Sequence, residues 1–174
     1  VDIGCAEGYY SIGFAMRIPS AKIFAYDISP RALELCSKMA ALNNVGERVI
    51  LDNFCDTAKL KANLAESERS LVVSDCEGCE KQIFTEESVE FLKRHDVLLE
   101  VHDFIDSEIS SSLKKNFSGT HEIIIVSSID DFEKAQAYGY KELDGLDIFK
   151  KRILLGEYRP AMTDWFYLKS RGKS

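Results

Sequence analysis

Short apolar runs alternate with amphipathic stretches along this chain, the pattern of a parallel sheet whose strands are joined by crossover helices. Val1–Cys5 reads as the end of a first strand and Tyr9–Arg17 as a helix. Ala21–Asp27 (AKIFAYD) predicts a second strand. Ser29 then N-caps a helix that carries Pro30 at its first position, where the missing N–H costs nothing. Ala32, Leu35, Cys36 and Met39 repeat there at helical spacing and are expected to face the sheet, and Asn43-Asn44 ends the helix. Val49–Leu51 is a third strand, followed by a short helix carrying Leu60 and Leu64. Ser70–Asp75 is a fourth strand. A helix starting at Thr85 has Glu86 and Glu87 in its first turn and Lys93 and Arg94 in its last, matching the helix dipole. Asp96–His102 predicts a fifth strand, Ser107–Asn116 a helix, His121–Ser127 a sixth strand and Trp165–Lys169 a seventh.

The last two strands are separated by residues 128–164, too many for a hairpin turn. Leu146, Phe149 and Ile153 keep helical spacing, so this insertion is structured, either as a wall of the substrate site or as a helical decoration. We see no internal repeat, low-complexity tract or linker, and expect a single domain over residues 1–174. Trp165, Phe166 and Tyr167 are expected to be half-buried strand residues. The chain opens at Val1, inside a strand, which leads us to expect that a native N-terminal segment such as a helix precedes it.

Composition narrows the possibilities. With 174 residues and 45% hydrophobic content the chain suits a soluble domain with a sizeable core. A net charge of −7 argues against a protein that lives on phosphate backbones, so no nucleic-acid partner is expected. No apolar run approaches the length of a membrane span, and neither a signal peptide nor a membrane partner is expected. Five cysteines, Cys5, Cys36, Cys55, Cys76 and Cys79, lie on unrelated elements. They make a poor disulfide framework and fit a reducing cytoplasm.

The chemistry begins at Asp2-Ile3-Gly4-Cys5-Ala6-Glu7-Gly8, at a strand end opening a helix. Gly4 permits a tight turn and Gly8 is expected to let a ligand approach the backbone. The spacing is G-x-x-x-G rather than the G-x-G-x-x-G that seats a pyrophosphate. Acidic residues around a glycine turn suit S-adenosylmethionine instead, which has a cationic sulfonium, an amino acid tail and a ribose. Asp27, ending the second strand, is placed to accept the ribose hydroxyls. The cofactor contacts expected from this reading are Asp2, Gly4, Cys5, Ala6, Glu7, Gly8, Asp27 and Asp75. Asn53 and Phe54, after the third strand, are read either as adenine contacts or, for Phe54, as plain core. Tyr9 and Tyr10 line the methionine pocket or simply pack.

These features resemble class I methyltransferases, and Asp75-Cys76-Glu77-Gly78-Cys79-Glu80 resembles the D-x-E-G-x-E motif of the FkbM-type branch. Asn43-Asn44, Glu100 and His102 also fit that pattern, and the similarity runs from Val1 to about Phe104. The resemblance implies a Rossmann-like, seven-stranded, mostly parallel sheet with helices on both faces and an antiparallel last strand. It implies O-methylation of a hydroxyl on a sugar or natural-product acceptor, with Asp75, Glu77 and His102 beside the transferred methyl. Cys76 and Cys79 depart from that family's usual small or aliphatic residues.

The residues support such a site without the family. Asp75, Glu77, Glu100, His102 and Asp103 fall at or just past two strand ends, where ligands bind in open α/β sheets. Methyl transfer needs in-line alignment and removal of the acceptor's proton. His102 is the candidate base, with Glu77 as an alternative, and a structural histidine as the plain reading. No metal is assigned, although Asp75, Glu77, Glu100 and His102 form an oxygen-rich set able to hold a divalent cation. Cys76-x-x-Cys79 invites a metal or redox reading, but it lacks the second pair a zinc site requires, and a thioredoxin-type motif belongs at a helix start after a first strand. Two alternatives stay open: a nicotinamide-dependent oxidoreductase, and an S-adenosylmethionine-binding module without turnover.

Overall fold

The computed structural model describes residues 1–65, 67–157 and 159–172; Tyr158 of the expected insertion and the last two residues of the expected domain fall outside these. Seven strands form one sheet in the order β3-β2-β1-β4-β5-β7-β6. They are β1 (Asp2–Ile3), β2 (Ile23–Tyr26), β3 (Val49–Asp52), β4 (Leu71–Ser74), β5 (Asp96–Val101), β6 (His121–Ser127) and β7 (Asp164–Ser170). The first five run parallel, and β7 inserts antiparallel between β5 and β6. This is the expected sheet, antiparallel last strand included.

Side chains alternate between two apolar layers, as strand geometry requires. On one face Ile3, Tyr26, Val72, Leu99 and Phe166 pack against α3 (Thr57–Ala65), α4 (Glu80–Ile83), α5 (Glu86–Leu92) and α6 (Ile109–Phe117). On the other, Ile23, Ala25 and Val49 pack against α1 (Tyr9–Arg17) and α2 (Pro30–Leu42). The order reverses at β1, whose neighbours are β2 and β4. A crevice at the carboxyl ends of the strands therefore opens there.

Several expectations need correction. Within α2 the buried positions are Cys36 and Ala40, while Leu35 and Met39 are 42% and 40% exposed. The sheet here presents small residues such as Ala25, so α2 lies close and its larger side chains turn outward. The helix opened by Thr85 ends at Leu92, leaving Lys93 as its C-cap and Arg94 beyond it. Phe166 is fully buried, whereas Trp165 and Tyr167 are half-buried as expected. The insertion forms α7 (Asp131–Ala137) and α8 (Ile148–Leu155), but Phe149 and Ile153 point to solvent. No helix among the described residues is long and apolar enough to cross a membrane.

The cysteine expectation also fails in part. Cys76 and Cys79 are joined by a disulfide, while Cys5, Cys36 and Cys55 are buried free thiols. A sequence shows only that two cysteines are three apart; the reversal of the chain at Glu77-Gly78 brings their Cα atoms to 5.6 Å.

Candidate functional site

The site grows from the end of β1. Gly4 has φ 82°, and a Cβ placed on it would lie 1.9 Å from the backbone oxygen of Asp75. Only glycine lets β1 and β4 end this close together. The turn is held by the N–H groups of Gly4 and Cys5, which both donate to the Tyr26 carbonyl, each at 2.9 Å. Gly8 plays a different part from the one expected. Its φ is 95°, and a Cβ would meet Cys36 Sγ at 2.6 Å and Ile12 at 3.0 Å. Gly8 thus serves the packing of α1 on α2.

A cavity of about 370 Å³ opens on this turn, bounded by Gly4, Ala6, Asp27, Asn53, Phe54 and Asp75 of the expected contacts. That volume suits a nucleoside-sized ligand. Of the other expected contacts, Asp2, Cys5, Glu7 and Gly8 are not among the described residues that line it. Asp2 lies beneath the turn, where Ser11 Oγ donates to Oδ2 at 2.5 Å. Its carboxyl is raised above the usual range, chiefly by burial. Cys5 is buried and Glu7 is exposed. Sequence reasoning missed Tyr26, Ile28, Cys55 and Ile83, which also line the cavity. Ile28 is 80% exposed, an apolar residue beside the strand-end acid.

Asp27 Oδ2 accepts from the Ala6 N–H at 2.9 Å and Oδ1 from the Ser29 N–H at 2.8 Å. The carboxylate is thereby fixed at the cavity edge, and each oxygen keeps a lone pair. Phe54, which also lines the cavity, is 53% exposed. Asn53 Oδ1 accepts from the Phe54 N–H at 2.7 Å and orients that segment. Tyr9 points to solvent, and Tyr10 packs edge-on against Trp165 at 5.9 Å.

A second cavity, about 470 Å³, adjoins the first and shares Asp75 and Glu77 with it. Glu100, His102, Phe104, Glu157, Arg159, Pro160 and Thr163 complete its lining, so the end of the insertion walls it. Arg159 pairs with Glu100, and Thr163 Oγ1 donates to the same carboxylate at 2.6 Å. Asp103 points elsewhere and caps α6, accepting from the Ser110 N–H at 2.8 Å.

His102 sits between these walls at 2% exposure. Nδ1 is hydrogen-bonded to Glu80, whose side chain is fully buried. Nε2 faces Asp75 Oδ1 and Glu77 Oε2, each at 3.5 Å. Burial works to lower the His102 pKa, but the Glu80 hydrogen bond and the charges of Glu80, Glu77 and Asp75 outweigh it and raise it. Burial, reinforced by Glu100 and Glu77 and opposed by His102, raises the Asp75 carboxyl to about 6. One atom from each of Asp75, Glu77 and His102 lies within 4.8 Å of the others, close enough to share a divalent cation. The sequence already offered Glu80 as the last acid of the D-x-E-G-x-E stretch, but not its place under the histidine.

The strand order, the glycine turn at β1 and the strand-end acid on β2 together define the fold of the class I methyltransferases. Solved structures agree over nearly the whole chain. The chain is similar to StiE O-MT, with a TM-score of 0.52 and 16% identity, over 99% of this chain and 67% of that one. It is also similar to geranyl diphosphate methyltransferase in complex with GPP and sinefungin, with a TM-score of 0.55 and 10% identity, over 98% and 71% of the two chains. No family model matches the chain. By sequence it is similar to the release factor glutamine methyltransferase of Flavobacterium psychrophilum, 38% identical over 60 residues, 34% of this chain and 21% of that protein. The chain thus aligns with about a fifth of the length of the curated relatives it matches.

Proposed function

We propose that this chain transfers the methyl group of S-adenosylmethionine to a hydroxyl of a small-molecule or glycan acceptor, as an FkbM-type enzyme of the cytoplasm. The observation that carries the reading is His102, oriented by a buried carboxylate and lining the second cavity beside Asp75 and Glu77, which both cavities share. The bound cofactor supplies an activated methyl on a sulfonium, which leaves alignment and one proton transfer to the protein.

The residues present fit that ligand. Asp27 would hold the ribose hydroxyls, Phe54, Ile28 and Asn53 would contact the base, and Gly4 and Ala6 line the turn. Asp75 places a carboxylate beside the positive end. In the second cavity the acceptor hydroxyl lies within reach of His102 Nε2, which takes its proton as the oxygen attacks in line. Glu80 fixes the ring and stabilises the imidazolium that results, while Glu77 orients the acceptor's other hydroxyls. Carboxylates crowd the wall that Arg159 joins, which favours a neutral polyhydroxylated acceptor over an anionic one.

The test is methyl transfer across a panel of hydroxylated sugars and metabolites by wild type, His102→Ala and Glu77→Ala. Loss of about 10²–10⁴ in kcat for His102→Ala is expected of a general base. Wild-type turnover by both variants on the true acceptor would overturn the catalytic assignments.

A further inference from the structure

Methyl transfer leaves the Cys76–Cys79 disulfide without a task. The link closes over Glu77 and Gly78, whose φ angles of 53° and 100° are both left-handed. Glycine adopts that region readily, but a glutamate held there is strained. Cys79 stands at the N-cap of α4 without a side-chain cap bond, so its sulfur is committed to the link alone. The Glu77 side chain is 74% exposed and lies 3.5 Å from His102 Nε2. Both sulfur-bearing residues line the cofactor cavity, and Glu77 lines that cavity and the acceptor cavity together. The remaining cysteines are buried free thiols, of which Cys55 also lines the first cavity.

We infer that Cys76–Cys79 is a thiol–disulfide exchange site whose redox state sets the position of Glu77 against His102. Its reaction partner is a dithiol. One dithiol sulfur attacks as a thiolate, the Cys76–Cys79 bond breaks, and a mixed disulfide forms. The second dithiol sulfur then displaces the bound cysteine. The dithiol leaves as a disulfide, the two cysteines are reduced, and its two protons end on them. Once the link is open, Glu77 relaxes out of the left-handed region and its carboxylate leaves the imidazole. A ligand in the first cavity covers the sulfurs, so cofactor binding slows reduction of the link. This coupling rests on the cofactor reading above; the exchange itself does not.

Two readouts test it without an acceptor. In the first, protein purified without reductant is treated with dithiothreitol and then iodoacetamide, and the adducts are mapped by mass spectrometry. Dithiothreitol should expose Cys76 and Cys79 together, and saturating S-adenosylhomocysteine should slow their labelling about fivefold or more. In the second, the His102 ring is titrated by NMR. Reduction should lower its proton affinity about threefold, ~0.7 kcal/mol, reversibly on reoxidation. The Cys76→Ser/Cys79→Ser variant should titrate like the reduced protein with or without dithiothreitol. Labelling of both cysteines before any reductant, or one His102 titration shared by oxidised and reduced wild type, would overturn the proposal whether or not the variant folds. If S-adenosylhomocysteine binds neither form, the cofactor reading fails and the coupling with it, while the labelling and titration still decide the exchange.

Discussion

Replacing Asp75 by Asn should make the protein more stable at alkaline pH. Burial and the neighbouring Glu100 and Glu77 raise this carboxyl from 3.8 to about 6. The folded state therefore keeps the proton to a higher pH than the unfolded chain does. Stability is lost as pH rises from the unfolded value through the folded one, and above that window the carboxylate is a standing cost. Two pK units correspond to ~3 kcal/mol at ~1.36 kcal/mol each. The Asp75 side chain is 33% exposed, so solvent screening reduces this to ~1–2 kcal/mol. One of its oxygens, Oδ1, is also buried without a hydrogen-bond partner among the described residues. For a chain of this size ~1 kcal/mol moves Tm by ~2–4 °C, so Asp75→Asn should melt ~2–8 °C higher at pH 8. The assay is thermal unfolding of both proteins between pH 8 and pH 4. The gain should shrink steadily below pH 6, as the wild-type carboxyl becomes protonated. A variant no more stable at pH 8, or a difference constant across the range, would refute the reasoning.

Gly4→Ala should destabilise the fold by ~2–4 kcal/mol, because the new methyl meets the Asp75 carbonyl at a left-handed φ; a loss under ~1 kcal/mol in urea unfolding would show that the strand ends can part. The acid limb of kcat/KM should fall above 6.5, because His102 must be neutral to act as base and its pKa is raised. Glu80→Gln should move that limb to lower pH, and an unmoved limb would assign it to another group. Prolonged treatment with a chelator should leave turnover unchanged; loss restored by magnesium would instead make Asp75, Glu77 and His102 cation ligands.

Much of the fold was legible because strands and helices bury faces of fixed period. The β2 and β5 runs, the Ser29-Pro30 helix start and the Thr85 cap all declare themselves locally. The extra turn α4 did not, being four residues long and anchored by tertiary contacts around Glu80. The outward Leu35 and Met39 were missed because helical period identifies a stripe, not which apolar stripe meets the sheet. In the site, Gly4, Asp27, Asp75 and His102 stand at strand ends and could be placed from sequence order alone. Glu80 under His102 and Arg159 on Glu100 bring together residues 22 and 59 positions apart, and no local pattern records such pairs. Gly8 was assigned to a ligand because glycine signals close approach without naming the approaching group, here Cys36.

Calorimetric titration of the purified chain with S-adenosylhomocysteine and with NAD tests the central claim most directly. We expect saturable binding of S-adenosylhomocysteine, no binding of NAD, and an affinity about 10-fold or more weaker in Asp27→Ala, ~1.4 kcal/mol or more. Tight binding of NAD with none of S-adenosylhomocysteine would contradict the account and make the turn at Gly4 part of a nicotinamide site.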